Sequence, residues 1–225
     1  MSALRLPVLI ILFPILFAAC GRSDLTRIRL LSPVSETKKD HSLFTDESLS
    51  ASEKEITVAD PKTSGAGVYF LFKSIGLGYT TLTTKIENEI RNSSNNALLL
   101  KEESTLVTNF ADLAFSIGED YTLMWGAGVL AGGSLDTTLN YSYTGATDET
   151  LQHKELSAHS MFLVLGHHGS GFETLLGFRT NYIKAELEDS LSSATTLKTA
   201  SSISYERTGL RFTTSQVQLG IGVTF

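Results

Sequence analysis

Two stretches of the chain set histidine beside serine: His159-Ser160 and His167-His168-Gly169-Ser170. Such neighbours suggest hydrolysis, in which an imidazole takes the proton of a hydroxyl nucleophile and a third group orients the base. Neither stretch has a well-placed acidic partner nearby, and Gly169-Ser170-Gly171 has the composition of a tight turn. Adjacent histidines also bind metals, but here they lack cysteine or carboxylate at ligand spacing. The chain has no phosphate loop, zinc motif or dinucleotide fingerprint. The expectation is no catalytic residue, no metal and no cofactor.

A second group of polar residues, Asp112, Glu173, Arg179, Gln216 and Gln218, owes its interest to the elements that carry it. Val217, Leu219, Ile221, Val223 and Phe225 alternate with Gln216, Gln218, Gly220, Gly222 and Thr224. Strict period two over ten residues signals a strand with unlike faces, long enough to cross a bilayer core if tilted. The same alternation places Leu113, Phe115 and Ile117 against Asp112, Ala114 and Ser116. It also places Phe172, Leu176 and Phe178 against Glu173, Gly177 and Arg179. All five candidate residues therefore share the polar phase. Around Phe162 and Val164 both phases are apolar. Turn signals at Asn92–Asn96, Gly118–Asp120, Thr144–Glu149, Gly169–Gly171 and Asp189–Ala194 divide the region into six strands. These are 66–91, 97–117, 121–143, 151–168, 172–188 and 199–225. Proline is absent from all of them, as a hydrogen-bonded ladder requires.

The four prolines all precede residue 62, whereas seventeen of the eighteen glycines lie at or after Gly65. Two unlike parts are implied. Arg5 followed by the apolar run Leu6–Ala19 reads as a secretory signal, too short and proline-broken to span a membrane, giving a signal peptide over 1–19. Cys20 is the only cysteine and has no internal partner for a disulfide. Residues 21–64 are rich in Ser and mixed charge and read as a flexible linker, so 20–64 is taken as a lipidated N-terminus and tether and 65–225 as the folded domain. The net charge of −6 gives no general electrostatic reason to expect nucleic-acid binding.

The apolar phase carries the large side chains, and the opposite phase is mostly Gly, Ser, Thr and Gln. Such a set suits a narrow lumen better than a soluble core, and short turns alternate with longer polar loops. Phe115, Tyr121, Phe172 and Phe225 fall beside the short turns, as an aromatic girdle would. With Phe225 ending an alternating strand, residues 65–225 resemble the small bacterial outer-membrane β-barrels of OmpA/OmpX-like architecture. Leu16–Cys20 resembles the lipobox of bacterial lipoproteins. The resemblance implies an all-β, antiparallel up-and-down transmembrane barrel. Six strands are clear, and two more could lie in the long first and last segments or in Ile28–Val58. It further implies lipidation at Cys20, an insertion signal at Phe225 and a filled lumen networked by Asp112, Glu173, Arg179, Gln216 and Gln218. The expected partners are outer-membrane lipid, the barrel-insertion machinery and an extracellular ligand met by loops around 87–104, 136–156 and 188–202. The expected role is a non-enzymatic surface protein, lipid-anchored on the periplasmic side. One alternative is a lipid-modifying enzyme using His168 or His159, since lipid A deacylases place His and Ser two residues apart, as His168 and Ser170 are. Another is a lipid-tethered soluble barrel that binds an apolar ligand.

Overall fold

The computed structural model describes residues 25–42, 54–58, 61–92, 95–142, 149–187 and 209–225. The signal peptide and Cys20 lie outside these residues. The strands are β1 (Thr26–Ser42), β2 (Lys54–Val58), β3 (Lys62–Phe72), β4 (Ile75–Asn92), β5 (Leu98–Ile117), β6 (Tyr121–Tyr141), β7 (Glu149–Gly169), β8 (Phe172–Leu187) and β9 (Gly209–Thr224). From β3 to β9 each strand pairs antiparallel with the next. β1 lies between β9 and β3 and closes the sheet. β2 and β3 share one place in the wall, because both pair with β4: Val58 opposite Asn88, and Lys62 opposite Lys85. The result is a closed, up-and-down barrel with eight strand positions.

Two expectations need correction. Residues 20–64 are not all tether: Arg27 to Ser42 pair with β9, and Thr26 to Leu31 pair with β3. The barrel therefore begins at Thr26 rather than at residue 65. Composition misleads here because Arg27 and Arg29 sit on the inward phase, and Pro33 stands where the β1–β9 register shifts, at a bulge that tolerates a missing N–H. The segment 66–91 is also not one strand but parts of β3 and β4, joined by a hairpin at Lys73-Ser74. Lys73 adopts φ 57°, a conformation its side chain gives no hint of. At Ser170-Gly171, by contrast, both central residues have positive φ, as the common two-residue hairpin turn demands.

The hairpin turns after β3, β5 and β7 lie at one end, beside the start of β1 and the end of β9. There the Thr26 amide donates to the Phe225 carbonyl at 3.2 Å, and the Phe225 amide returns a 3.0 Å bond to Thr26. Alternation decides what each strand buries. On β4, Leu77 and Tyr79 face out while Gly76 and Thr80 face in. On β7, Met161, Leu163 and Leu165 face out while Phe162 and Val164 are buried inside, which explains the apolar character of both phases. β6 changes phase at Ala131, which is skipped between the pairs Asn109–Gly132 and Phe110–Leu130. Its inward residues are Thr122 and Met124 below that bulge, and Leu135, Thr137 and Leu139 above it.

The outer surface has two zones. Beside the short turns it is apolar and rimmed by exposed Phe72, Tyr121, Phe172 and Phe225, with Phe115 stacked on Trp125 at 6.3 Å. Farther along the strands the sidedness reverses: Lys85, Glu87, Glu103, Asp136 and Glu155 face out, and Ile86, Leu106, Leu135 and Ile183 form a buried cluster within. Lys101 in this collar donates to Glu103 at 2.6 Å and lies 3.5 Å from Glu87. The Glu103 hydrogen bond leads in raising its pKa above the ordinary lysine value.

A chain starting at residue 65 has no β1 and cannot close. In detergent refolding it should give no heat-modifiable gel band, whereas a chain starting at residue 21 should give one. Equal heat-modifiability of the two would remove β1 from the barrel.

Candidate functional site in the barrel interior

The lumen is filled by layers of side chains. Nearest the short turns, β1 contributes Arg27 and Arg29, and β8 contributes Glu173, all fully buried. The Arg29 Nε donates to Glu173 Oε2 at 2.7 Å, and Nη2 donates to Glu173 Oε1 at 2.8 Å. The same Nη2 reaches Thr122 Oγ1 at 2.7 Å. Arg27 Nε lies 3.3 Å from Glu173 Oε1, and its Nη2 donates to the Gly118 carbonyl at 3.1 Å. One carboxylate thus serves two guanidinium groups.

Above this cluster lies an apolar layer of Leu31, Tyr69, Leu71, Ala114, Met124, Phe162, Val164 and Leu175. A second ionic cluster follows. Arg179 makes a bidentate pair with Asp112, at 2.8 Å and 3.0 Å. Tyr69 Oη and Thr80 Oγ1 donate to Asp112 Oδ2 at 3.0 Å and 2.6 Å. Arg179 Nη2 also donates to Ser160 Oγ at 2.5 Å, and Nε donates to Asn181 Oδ1 at 3.0 Å. Its guanidinium lies 4.7 Å from the Phe110 ring centroid and 5.5 Å from that of Phe162. This is the fork geometry in which burial of an arginine is tolerated: a bidentate carboxylate with aromatic rings close by. Gly128 makes room, since a Cβ there would collide with the Asp112 carboxylate.

The sequence grouped Asp112, Glu173, Arg179, Gln216 and Gln218 as one network. The structure divides them. Arg179 pairs with Asp112, while Glu173 belongs to the other cluster, with Arg27 and Arg29. Those two arginines were missed because they lie in the presumed tether, although Arg27-Ile28-Arg29-Leu30 is itself a period-two signal. Gln216 and Gln218 are buried, yet both amide atoms of Gln216 and the Gln218 Oε1 have no hydrogen-bond partner among the described residues. Each such orphan costs about 1–3 kcal/mol. Phe225 faces outward at the short-turn rim.

Neither histidine–serine pair is brought together as base and nucleophile. His159 faces outward and stacks on Tyr182 at 5.0 Å, while Ser160 faces inward to Arg179. His168 Nε2 lies 2.8 Å from Thr224 Oγ1, and Ser170 occupies the exposed hairpin tip. His167 lies 4.9 Å from Tyr121 on the outer rim. Among the described residues no three of His, Cys, Asp and Glu converge as metal ligands would.

No protein-family model matches the chain. No curated protein matches it either. Similar solved structures include the outer membrane protein OprG from Pseudomonas aeruginosa, at 11% identity and TM-score 0.46, covering 91% of this chain and 97% of that one. Neisserial surface protein A (NspA) is similar at 10% identity and TM-score 0.43, covering 91% and 99%. The outer membrane protease OmpT from Escherichia coli is similar at 10% identity and TM-score 0.48, covering 91% and 98%.

Arg179→Met leaves Asp112 buried without its ion partner and should destabilise the barrel by about 3–5 kcal/mol in urea unfolding from vesicles. Arg179→Met with Asp112→Leu should recover most of that loss. A double variant as unstable as the single one would show that the pair is not the source of the penalty.

Proposed function

We propose that the protein is a non-enzymatic outer-membrane β-barrel that presents a polar collar and loops to the cell exterior. One observation carries the reading: the zone beside the short turns is apolar outside and ionic inside. Along β8 the outward residues Phe172 and Tyr182 bound this zone. Ten rises of about 3.3 Å, tilted at about 40°, give about 25 Å, the height of the apolar band of outer-membrane barrels. A surface of this extent is not stable against water, whereas lipid solvates it. The charged collar beyond Tyr182 has ordinary soluble sidedness and suits an aqueous setting.

The short turns then face the periplasm and the collar faces outward. β1 starts at the periplasmic end, and the chain between Cys20 and Thr26 reaches at most about 20 Å. A lipidated Cys20 would therefore be held at the inner rim of the barrel, where acyl chains enter the adjacent leaflet. The layered lumen supports a structural or interaction role over transport. The separation of each serine from its neighbouring histidine supports a non-enzymatic role over lipid modification.

Two experiments test this reading. Cys20→Ala should remain in washed outer membranes and dissolve only in detergent; release by washing would favour the tethered soluble barrel. Proteolysis of intact cells should cut within 142–148 and 188–208 and spare Gly118–Asp120. Cutting at Gly118–Asp120 alone would reverse the orientation.

A further inference from the structure

The wall of the barrel is not equally zipped all round. β1 and β3 pair from Thr26–Phe72 to Leu31–Gly67, and among the described residues their ladder ends there. Both strands nevertheless continue: β1 runs on beside β9 to Ser42, and β3 extends back to Lys62 beside β4. Above Leu31 and Gly67, Ser32 Oγ donates across this seam to the Gly65 carbonyl at 2.9 Å. The seam begins where the outward residues of β3 change from Phe72, Phe70 and Val68 to Ala66, Ser64 and Lys62, at the rim of the apolar zone. β1 has register shifts at this level, between Pro33 and Ser35 and between Glu36 and Lys38.

The orphaned glutamines stand at the same level. Leu31, in the last β1–β3 pair, is opposite Gly220 of β9; Pro33 is opposite Gln218 and Glu36 opposite Gln216. The Gln216 amide and the Gln218 Oε1 thus occupy inward positions of β9 just above the point where the neighbouring ladder stops. Below them is the apolar layer that includes Leu31 and Tyr69. Across from Gln216 on β8 is Arg179, whose charge is already met by Asp112. A ligand here meets uncharged donors and acceptors rather than an unsatisfied ion. Outside the seam, the exposed Leu30, Val34 and Val68 offer an apolar surface continuous with the lipid-facing zone.

We propose that the β1–β3 seam is a lateral port, through which the uncharged hydroxyl or amide head of a single-chain amphiphile reaches Gln216 and Gln218. The tail stays against Leu30, Val34 and Val68, in contact with lipid. Entry along the barrel axis is blocked by the apolar layer below and by the Ile86–Leu106–Leu135–Ile183 cluster towards the collar. This goes beyond the proposed structural role, because it gives the interior a ligand of stated chemistry.

The test uses the mature chain in phosphatidylcholine vesicles and a photoactivatable diazirine analogue of dodecanol. With the diazirine beside the hydroxyl, labelling should fall on the inward residues Gln216 and Gln218 of β9. Gln216→Leu with Gln218→Leu should lower that labelling about tenfold, the scale expected for losing a buried hydrogen-bonding site. The same diazirine chain without a hydroxyl should label only the outer apolar zone. A disulfide staple of Ser32→Cys and Ala66→Cys, in a Cys20→Ala background, should abolish the labelling at Gln216 and Gln218 when oxidised and restore it when reduced. That comparison uses one folded preparation, so it decides the matter even where the glutamine variant fails to fold. Labelling indifferent to the staple, or equal with and without the hydroxyl, overturns the proposal.

Discussion

Closure of the sheet through β1 is the constraint on which the rest of this structure depends. Without Thr26–Leu31, β9 and β3 would each present a bare edge, and unpaired backbone groups cannot be left in hydrocarbon. The same short segment places Arg27 and Arg29 within reach of Glu173, two strand positions round the wall on β8. Backbone pairing and ionic neutralisation are therefore coupled. Remove β1, and an edge is exposed at the same moment that a buried carboxylate loses both its counter-ions.

The interior follows the rule that a narrow barrel must be filled and that buried ions are set against opposite charges, one to one at Arg179 and Asp112 and two to one at Arg27, Arg29 and Glu173. It does so in layers. An ionic cluster near the short turns and another around Arg179 bracket an apolar layer in which Tyr69 takes part in both chemistries: its ring packs with Phe162 at 5.3 Å, and its hydroxyl reaches Asp112. Ionic layers give a register, because Arg179 finds its fork, its hydroxyls and its two aromatic faces in one arrangement only. The apolar layer gives packing without further desolvation cost. The pattern of glycines is the complement of these large side chains. Gly128 leaves room for a carboxylate, and Gly78 for the Tyr69 ring.

Much of this was legible in the sequence, and the parts that were not have physical reasons. Alternation and the turn signals between them located β5 to β8 closely, even though inward residues such as Phe110, Met124, Phe162 and Val164 are large and apolar. The inward phase of Asp112 and Arg179 could be read directly. Their pairing could not, since 67 residues separate them and phase alone says nothing of height along the barrel. β1 was hidden by composition: arginines and a proline suggest a solvated linker unless their counter-ion is known, and Glu173 lies 144 residues from Arg29. The Lys73-Ser74 turn was hidden because a lysine, not a glycine or asparagine, takes the left-handed conformation. The break in phase on β6 at Ala131 falls beside Gly132-Gly133, a signal visible in the sequence that alternation alone does not interpret.

The central claim is that lipid solvates the outer face of this barrel and that its charges are held within. Trp125 offers a direct probe, being the only tryptophan and lying on the outward phase of β6 against Phe115. Its fluorescence should be measured in vesicles made from lipids with brominated acyl chains. The account predicts strong quenching by the bromines and little quenching by aqueous iodide. Quenching by iodide with indifference to brominated lipid would contradict it, because the apolar face would then be shown to meet water.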